Sequence, residues 1–487
     1  MLSFIIPTYK PNLTSLEKCV KYLKARGLQD WQAVFVFDGD CPEGIQVLKE
    51  SKDKRISHIT IEHGGAPRAR NAGFEVSKGE YVVFWDSDCY IEPGASKLWV
   101  EILDKHKEIG LVYSGYKFSD NRFAIESHDW DPWLLRVRNY ISGCFPTRRE
   151  LVPKWDESLK SLQDWDFWLK VVRNSKEKGY DINKLGKYLK GYAFSTDYPT
   201  GDSISGKGCT DEVWLERMDA VRKNHDIEDR KVCVASLDYE YEGIRLAKLI
   251  NADYQQFPND KPNRYQTVIQ IGFSLANSKV EKHAAIFQEV NIKKILFWTN
   301  ENILEIWRTT NFENIRAYSK LLATVKQYVE DKKLQDMMIE AGFNVEIMPM
   351  PIAHDGDIPS IPDNDTWAVD VSGDFGQSMG VLEESLPDFK LVPLKGSVKL
   401  SDIVGLIHLY PDGGMSNTVK RAHLTGRHVI SNIQQPYCNF VDAKETPEKL
   451  LNRVVDLVRK FKGVPSNVKA NEYYRKELNQ SKLLEIL

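Results

Sequence analysis

Cysteine is sparse. The chain of 487 residues holds seven, Cys19, Cys41, Cys89, Cys144, Cys209, Cys233 and Cys438, an odd number with no Cys-x-x-Cys pair among them. Such spacing points to neither a disulfide framework nor a zinc site, and reduced thiols in a cytosol are the simplest reading. Long apolar runs are also missing. No segment approaches the ~20 residues needed to span a bilayer, and the apolar stretch from Phe4 to Thr8 is too short for the core of a signal peptide. A soluble cytoplasmic protein is the expectation. An excess of one charge is missing as well: 66 Lys+Arg face 69 Asp+Glu, a formal net charge of −3. That balance argues against a polycationic coat for nucleic acid or a membrane surface, while leaving room for a local basic groove. Repeats of fixed period and low-complexity segments are absent too. What remains is 42% hydrophobic and 28% charged, a globular composition in a chain long enough for two domains or more.

The first half alternates strand and helix patterns. Leu2 to Pro7 is a buried-strand run, and Leu16, Cys19, Val20 and Leu23 then mark a helix face at i, i+3, i+4, i+7. Ala33–Phe37, Ile56–Ile61 and Tyr81–Trp85 are further strands, with a helix over 66–77 between the last two. Apolar strands alternating with helices imply a parallel sheet covered on both faces, an α/β fold. The charged stretch RKNHDIEDRK, residues 222–231, reads as a domain boundary. Beyond it alternation restarts, with strands at 232–235, 267–271, 295–298 and 345–348 and a helix over 325–341. Pro349, Pro351, Pro359 and Pro362 mark a hinge-like connection, and a third alternating block follows. The expected domains are 1–225, 231–355 and 356–487.

Ligands of parallel sheets bind at the carboxyl ends of the strands. Those positions hold Pro7, Thr8 and Tyr9 after the first strand, Asp38, Gly39 and Asp40 after the second, and Asp86, Ser87 and Asp88 after the fourth. Two carboxylates two residues apart at a turn are uncomfortable without a cation. Hard oxygens select magnesium or manganese, which keeps open positions for phosphates. Read alone, the tripeptide is equally an ordinary Asx turn. Asp164 is likewise open to a role as N-cap of a helix through Trp165, Trp168, Leu169 and Val172, and His63-Gly64-Gly65 reads as a turn that needs glycine.

The segments FIIPTY, FDGD, GGAPRARNAGFEVSKGEYVVFWDSD and QDWDFWLK, in that order, resemble the family-2 glycosyltransferases of GT-A fold over roughly residues 1–220. The resemblance implies a metal-dependent inverting transfer from a nucleoside-diphosphate sugar, with a UDP-linked donor expected. It assigns Pro7, Thr8, Tyr9, Asp38 and Arg70 to the nucleotide, Asp86 and Asp88 to a DXD motif holding Mn2+ or Mg2+, and Asp164 to the catalytic base. Glutamine stands at 163 where the family usually has glutamate. The family's late metal-binding histidine is missing from Tyr192 to Ser205, and Asp197 is the expected substitute. Trp165, adjoining the base, is the expected acceptor contact. A glycan or lipid-linked acceptor is expected, with DNA carrying a hydroxymethylated base as the alternative.

Residues from about 230 to 470 resemble, more distantly, the two-lobed GT-B glycosyltransferases. Gly413-Gly414 before a helix lets backbone N–H groups approach an anion, with Ser416, Asn417 and Thr418 adding donors. Gly413 and Arg421 stand where that family carries paired glutamates. A second active transferase, making the chain a bifunctional glycan polymerase, a ligand-binding module and a purely architectural one all remain open for this half.

Overall fold

The computed structural model describes residues 1–24, 27–120, 124–197, 211–228, 230–236, 240–255, 265–273, 291–299, 303, 312–352, 360–362, 364–371, 379–394, 398–409, 417–432, 434–442 and 444–487. It is α/β throughout and divides into two compact units, Met1–Asp229 and Arg230–Leu487.

In the first unit the order is β1 (Leu2–Thr8), α1 (Leu13–Lys24), β2 (Trp31–Asp38), α2 (Pro42–Glu50), β3 (Ile56–Ile61), α3 (Ala66–Val76) and β4 (Tyr81–Phe84). There follow β5 (Cys89–Ile91), α4 (Ala95–Lys105), β6 (Leu111–Phe118), β7 (Ala124–Ile125), α5 (Pro132–Val137), β8 (Thr147–Arg148), α6 (Gln163–Glu177), β9 (Gly186–Thr196) and α7 (Asp211–Asn224). The sheet runs β3-β2-β1-β4-β8-β6-β9-β5, with β7 attached to β6. Its first four strands are parallel. β8 then enters antiparallel between β4 and β6, and β5 closes the far edge antiparallel to β9. Near-continuous apolar runs suit β1, β2 and β4 to burial on both faces, and nearly every residue in them is buried. Helix α3 lies so close to β1 and β2 that a Cβ on Gly73 would come within 2.5 Å of Ile5 and 2.8 Å of Val36.

The strand order reverses between β1 and β4, since β2 and β3 extend the sheet to one side and β4 returns on the other. Such a reversal opens a crevice at the carboxyl ends. The turn after β1 (Tyr9) and the turn after β4 (Asp86 to Asp88) border that crevice.

The second unit carries two all-parallel sheets. One is β11 (Asp253–Gln255), β10 (Val232–Ala235), β12 (Thr267–Ile271), β13 (Lys293–Phe297), β14 (Lys326–Val329) and β15 (Val345–Ile347), with helix α8 (Glu240–Leu249) linking β10 to β11. The other is β17 (Lys390–Pro393), β16 (Thr366–Val371), β18 (Gly405–Leu409), β19 (His428–Ser431) and β20 (Asn439–Phe440). The expected helix over 325–341 is only partly helical: residues 326–329 form β14, and the helix spans Lys332–Glu340. Asp331 sets that boundary, because its carboxylate caps the helix by accepting from Leu334 N at 2.9 Å. No helix among the described residues is long and apolar enough to cross a membrane.

Candidate functional site

Asp38 ends β2 and is 3% exposed. Its carboxylate accepts from His63 Nδ1 at 2.9 Å, Gly64 N at 2.7 Å and Gly65 N at 2.9 Å. It therefore anchors the turn that opens α3, whose first N–H groups favour a nearby anion. Gly65 sits there at φ +90, a conformation that favours glycine. The exposed ring of Tyr9 stacks on His63, with centroids 4.2 Å apart and planes 18° from parallel. Pro7 and Thr8 lie within β1, where the Thr8 hydroxyl donates to Ile6 O at 3.1 Å.

One turn into α3, Arg70 reaches across the crevice. Its guanidinium donates to Asp86 Oδ1 at 3.1 Å and to Gln163 Oε1 at 3.0 Å. It lies over the Trp155 ring at 4.4 Å, which itself stacks on Phe167 at 4.4 Å. The arginine is 8% exposed. It thus joins the turn after β4 to the first residue of α6, which are 77 positions apart in sequence.

At the start of α6, Leu162 has φ +55, an uncommon and strained conformation for a bulky residue. Asp164 follows inside the helix rather than capping it, and its Oδ2 accepts from Gly143 N at 2.8 Å. Burial raises the Asp164 carboxyl above its ordinary range, Arg70 opposes that shift, Asp86 adds to it, and the Gly143 N–H pulls back. Asp88 reaches solvent but sits in a crowded, acid-lined recess. Lost hydration, then the Asp86 charge, with Asp197 adding a smaller push, raise its carboxyl to about 7. Among the described residues Asp86 pairs with Arg70 and Asp88 has no ion-pair partner.

Asp197 follows β9, and its backbone N–H donates to Asp88 O at 3.3 Å. Its carboxylate accepts three hydroxyls: Ser15 at 2.7 Å, Tyr90 at 2.5 Å and Ser119 at 2.8 Å. Burial would raise that carboxyl, but the three donors and Lys18 outweigh it and hold the group below its ordinary range. The arrangement ties α1, β5 and the end of β6 to the acidic turn.

The crevice therefore brings Arg70, Asp86, Asp88 and Asp164 together, while Tyr9 lies against His63 at the end of β1. Trp165 requires a correction. It is 1% exposed and donates its indole N–H to Leu135 O at 2.6 Å, so it packs in the core and offers no face to an acceptor. In the second unit, Gly413, Gly414 and Ser416 lie outside the described residues, as does the Asn417 side chain. Thr418 is half-buried in the helix Asn417–Leu424.

Residues 3–155 match the profile of the glycosyl transferase family 2. The first unit carries a glycosyl transferase family 2 domain. An uncharacterized protein of Sinorhizobium fredii is 26% identical to the chain over 201 residues, covering 39% of this chain and 22% of that protein. An uncharacterized glycosyltransferase of Methanocaldococcus jannaschii is 23% identical over 208 residues, 39% of this chain and 70% of the relative. The chondroitin synthase of Pasteurella multocida is 22% identical over 278 residues, 54% of this chain but 25% of that enzyme. This chain thus spans about a quarter or less of some relatives and over two thirds of another. Among solved structures, S. aureus TarS 1-349 in complex with UDP-GlcNAc superposes with a TM-score of 0.37 at 17% identity, over 69% of this chain and 83% of that one.

Several residues of this family 2 domain's crevice were not singled out from the sequence. Trp155 under Arg70 and the Ser15, Tyr90 and Ser119 hydroxyls on Asp197 carry no local signal. Gly143 had one, a glycine between Ser142 and Cys144 in a loop.

Proposed function

We propose that the first unit transfers a sugar from a nucleoside-diphosphate donor, UDP-linked by the family resemblance, to an acceptor hydroxyl with inversion. One observation carries this reading. Arg70 bonds both Asp86 and Gln163, so the acidic turn and the helix bearing Asp164 border one crevice. A leaving-group side and an acceptor side within reach of one sugar are what such a transfer requires.

The donor set fits a hard divalent cation. Two carboxylates lie two residues apart, and one of them is raised to about 7 by lost hydration and by its neighbour, so a cation would relieve the pair. Asp88 and Asp86 would hold Mn2+ or Mg2+, which when bound neutralises charge on the departing diphosphate. Asp197 acts as a positioning residue that fixes the Asp88 backbone. The Tyr9 face, supported by His63, offers a wall for the base, and Asp38 holds that wall in place. Asp164 accepts the proton of the attacking hydroxyl, because an unassisted hydroxyl is a poor nucleophile. The Gly143 N–H keeps one of its oxygens fixed and leaves the other for that proton.

A saccharide hydroxyl is the acceptor class we favour, since a chondroitin synthase and an O-antigen biosynthesis protein are among the similar proteins. A panel of nucleotide sugars, assayed for release of free nucleotide with manganese and with chelator, tests the reading. The expected result is cation-dependent release, lost in Asp164→Asn with donor affinity kept. Full activity in that variant, or no nucleotide-sugar binding with any divalent cation, overturns it.

A further inference from the structure

A second group of ligand atoms lies beneath Asp86. Cys89 opens β5 and Cys144 sits in the loop between α5 and β8, and both are buried, at 3% and 2% exposure. Their sulfurs are 3.9 Å apart. The Cys144 sulfur lies 3.6 Å from Asp86 Oδ2, the oxygen that Arg70 does not use. All three ligand atoms fall within 4.8 Å of one another.

Tetrahedral zinc makes bonds of about 2.3 Å to sulfur and about 2.0 Å to oxygen, which separates two sulfurs by about 3.8 Å and sulfur from oxygen by about 3.5 Å. The two separations within this cluster, 3.9 Å and 3.6 Å, match the edges of such a tetrahedron. The same pair is too far apart for a bonded disulfide. Two sulfurs also select a softer ion than the all-oxygen pair beside them. The side chain of Asp86 is 47% exposed, so the cluster opens to the crevice at its carboxylate end, and three protein ligands leave one position for water.

We propose that Asp86, Cys89 and Cys144 form a second cation site, selective for zinc-class ions over magnesium and manganese. Both thiols release their protons to solvent as the ion binds, and no electron is transferred. The two sites share Asp86, so zinc binding antagonises the cation of the transfer reaction; that clause alone rests on the function proposed above.

Cobalt(II) titrated into the cation-free, full-length chain in a phosphine reductant provides the test. The expected result is the intense visible absorption of tetrahedral cobalt with sulfur-to-cobalt charge transfer, saturating at one ion per chain, displaced by zinc and not by magnesium. Cys89→Ser and Cys144→Ser each lose the charge-transfer band, while Cys438→Ser, in the other unit, retains it. The pale spectrum of octahedral, oxygen-bound cobalt in the wild-type chain overturns the site without reference to any variant. So does a charge-transfer band that survives both serine substitutions. Bands without nucleotide-sugar turnover keep the site and remove the transferase reading, and turnover without bands does the reverse. Zinc that binds yet leaves manganese-supported turnover unchanged overturns the antagonism.

Discussion

Gly143 sets the position of Asp164 within narrow limits. A Cβ at 143 would stand 3.0 Å from Asp164 Oδ1 and 3.2 Å from its Cγ, so Gly143→Ala must push the carboxylate by a few tenths of an ångström. Misplacing a catalytic group by about 1 Å can cost on the order of 100-fold in rate, and the smaller displacement here sets about tenfold as the upper end. Gly143→Ala is therefore expected to lower kcat by up to about tenfold while donor affinity is unchanged, which initial-rate kinetics and donor titration will separate. Protonation acts on the same residues. Asp164 works as a base only when ionised, and burial raises its carboxyl, so kcat/KM should fall on the acid side with a midpoint above the ordinary carboxylate range. Asp88 bears on stability. Its folded carboxyl holds a proton up to about 7, against an ordinary value of 3.8. The folded state binds more protons than the unfolded one across that window, so this group makes the cation-free protein less stable as pH rises from about 4 to about 7. Thermal melts should show manganese raising Tm most near and above pH 7, and Asp88→Asn should abolish the cation's effect. A manganese-induced Tm shift of equal size in Asp88→Asn would remove Asp88 from the cation site.

Helix α6 shows how one element serves two faces. Residues two apart on a helix lie about 200° apart around its axis, so Asp164 faces the crevice while Asp166 faces the interior. Asp166 is 1% exposed and holds Lys170 Nζ at 2.6 Å and His225 Nε2 at 2.8 Å, which fastens the end of α7 against α6. Asp166→Ala leaves the buried His225 and the partly buried Lys170 without that carboxylate and is expected to cost about 3 kcal/mol, measured by urea denaturation, with activity of the remaining folded protein kept. A loss below 1 kcal/mol would show that the cluster contributes little to holding α7. The same helix marks what the sequence could and could not disclose. β1, β2 and β4 were legible because apolar runs buried on both faces stop at polar residues, and the site acids are those stops. Residues 325–329 misled because Val325, Tyr328 and Val329 fall at i, i+3, i+4, and so short a run fits strand and helix alike. Trp165 misled because a residue next to Asp164 is turned about 100° away from it on the helix. Contacts such as Cys89 with Cys144, Arg70 with Trp155 and Asp197 with Ser15 depend on how antiparallel β8 and the β9–β5 edge route the chain, which no local pattern encodes.

At the scale of the molecule, every residue assigned to the crevice lies between Tyr9 and Asp197, inside one of the two compact units. Among the described residues, the hydrophobic core of that unit is drawn from residues between Leu2 and Ile227, and a unit with its own core is expected to fold by itself. The second unit is internally tied: Lys420 pairs with Glu330 and Arg421 with Glu242 at 3.5 Å, joining the helix Asn417–Leu424 to the six-stranded part. Its sheets reproduce the alternation read from the sequence, yet the loop expected to hold an anion, 413–416, lies outside the described residues, so its part in the reaction is a matter for separation of the units. Residues 1–229 expressed alone should melt cooperatively and release nucleotide from the donor with manganese at a rate comparable to the full chain. If the second unit binds the acceptor, the fragment keeps this donor hydrolysis and loses transfer, and adding residues 230–487 in trans leaves hydrolysis unchanged. A fragment that folds, as judged by circular dichroism and melting, but releases no nucleotide would mean that the crevice is incomplete without the second unit, and the assignment of donor chemistry to Asp86, Asp88 and Asp164 alone would fall.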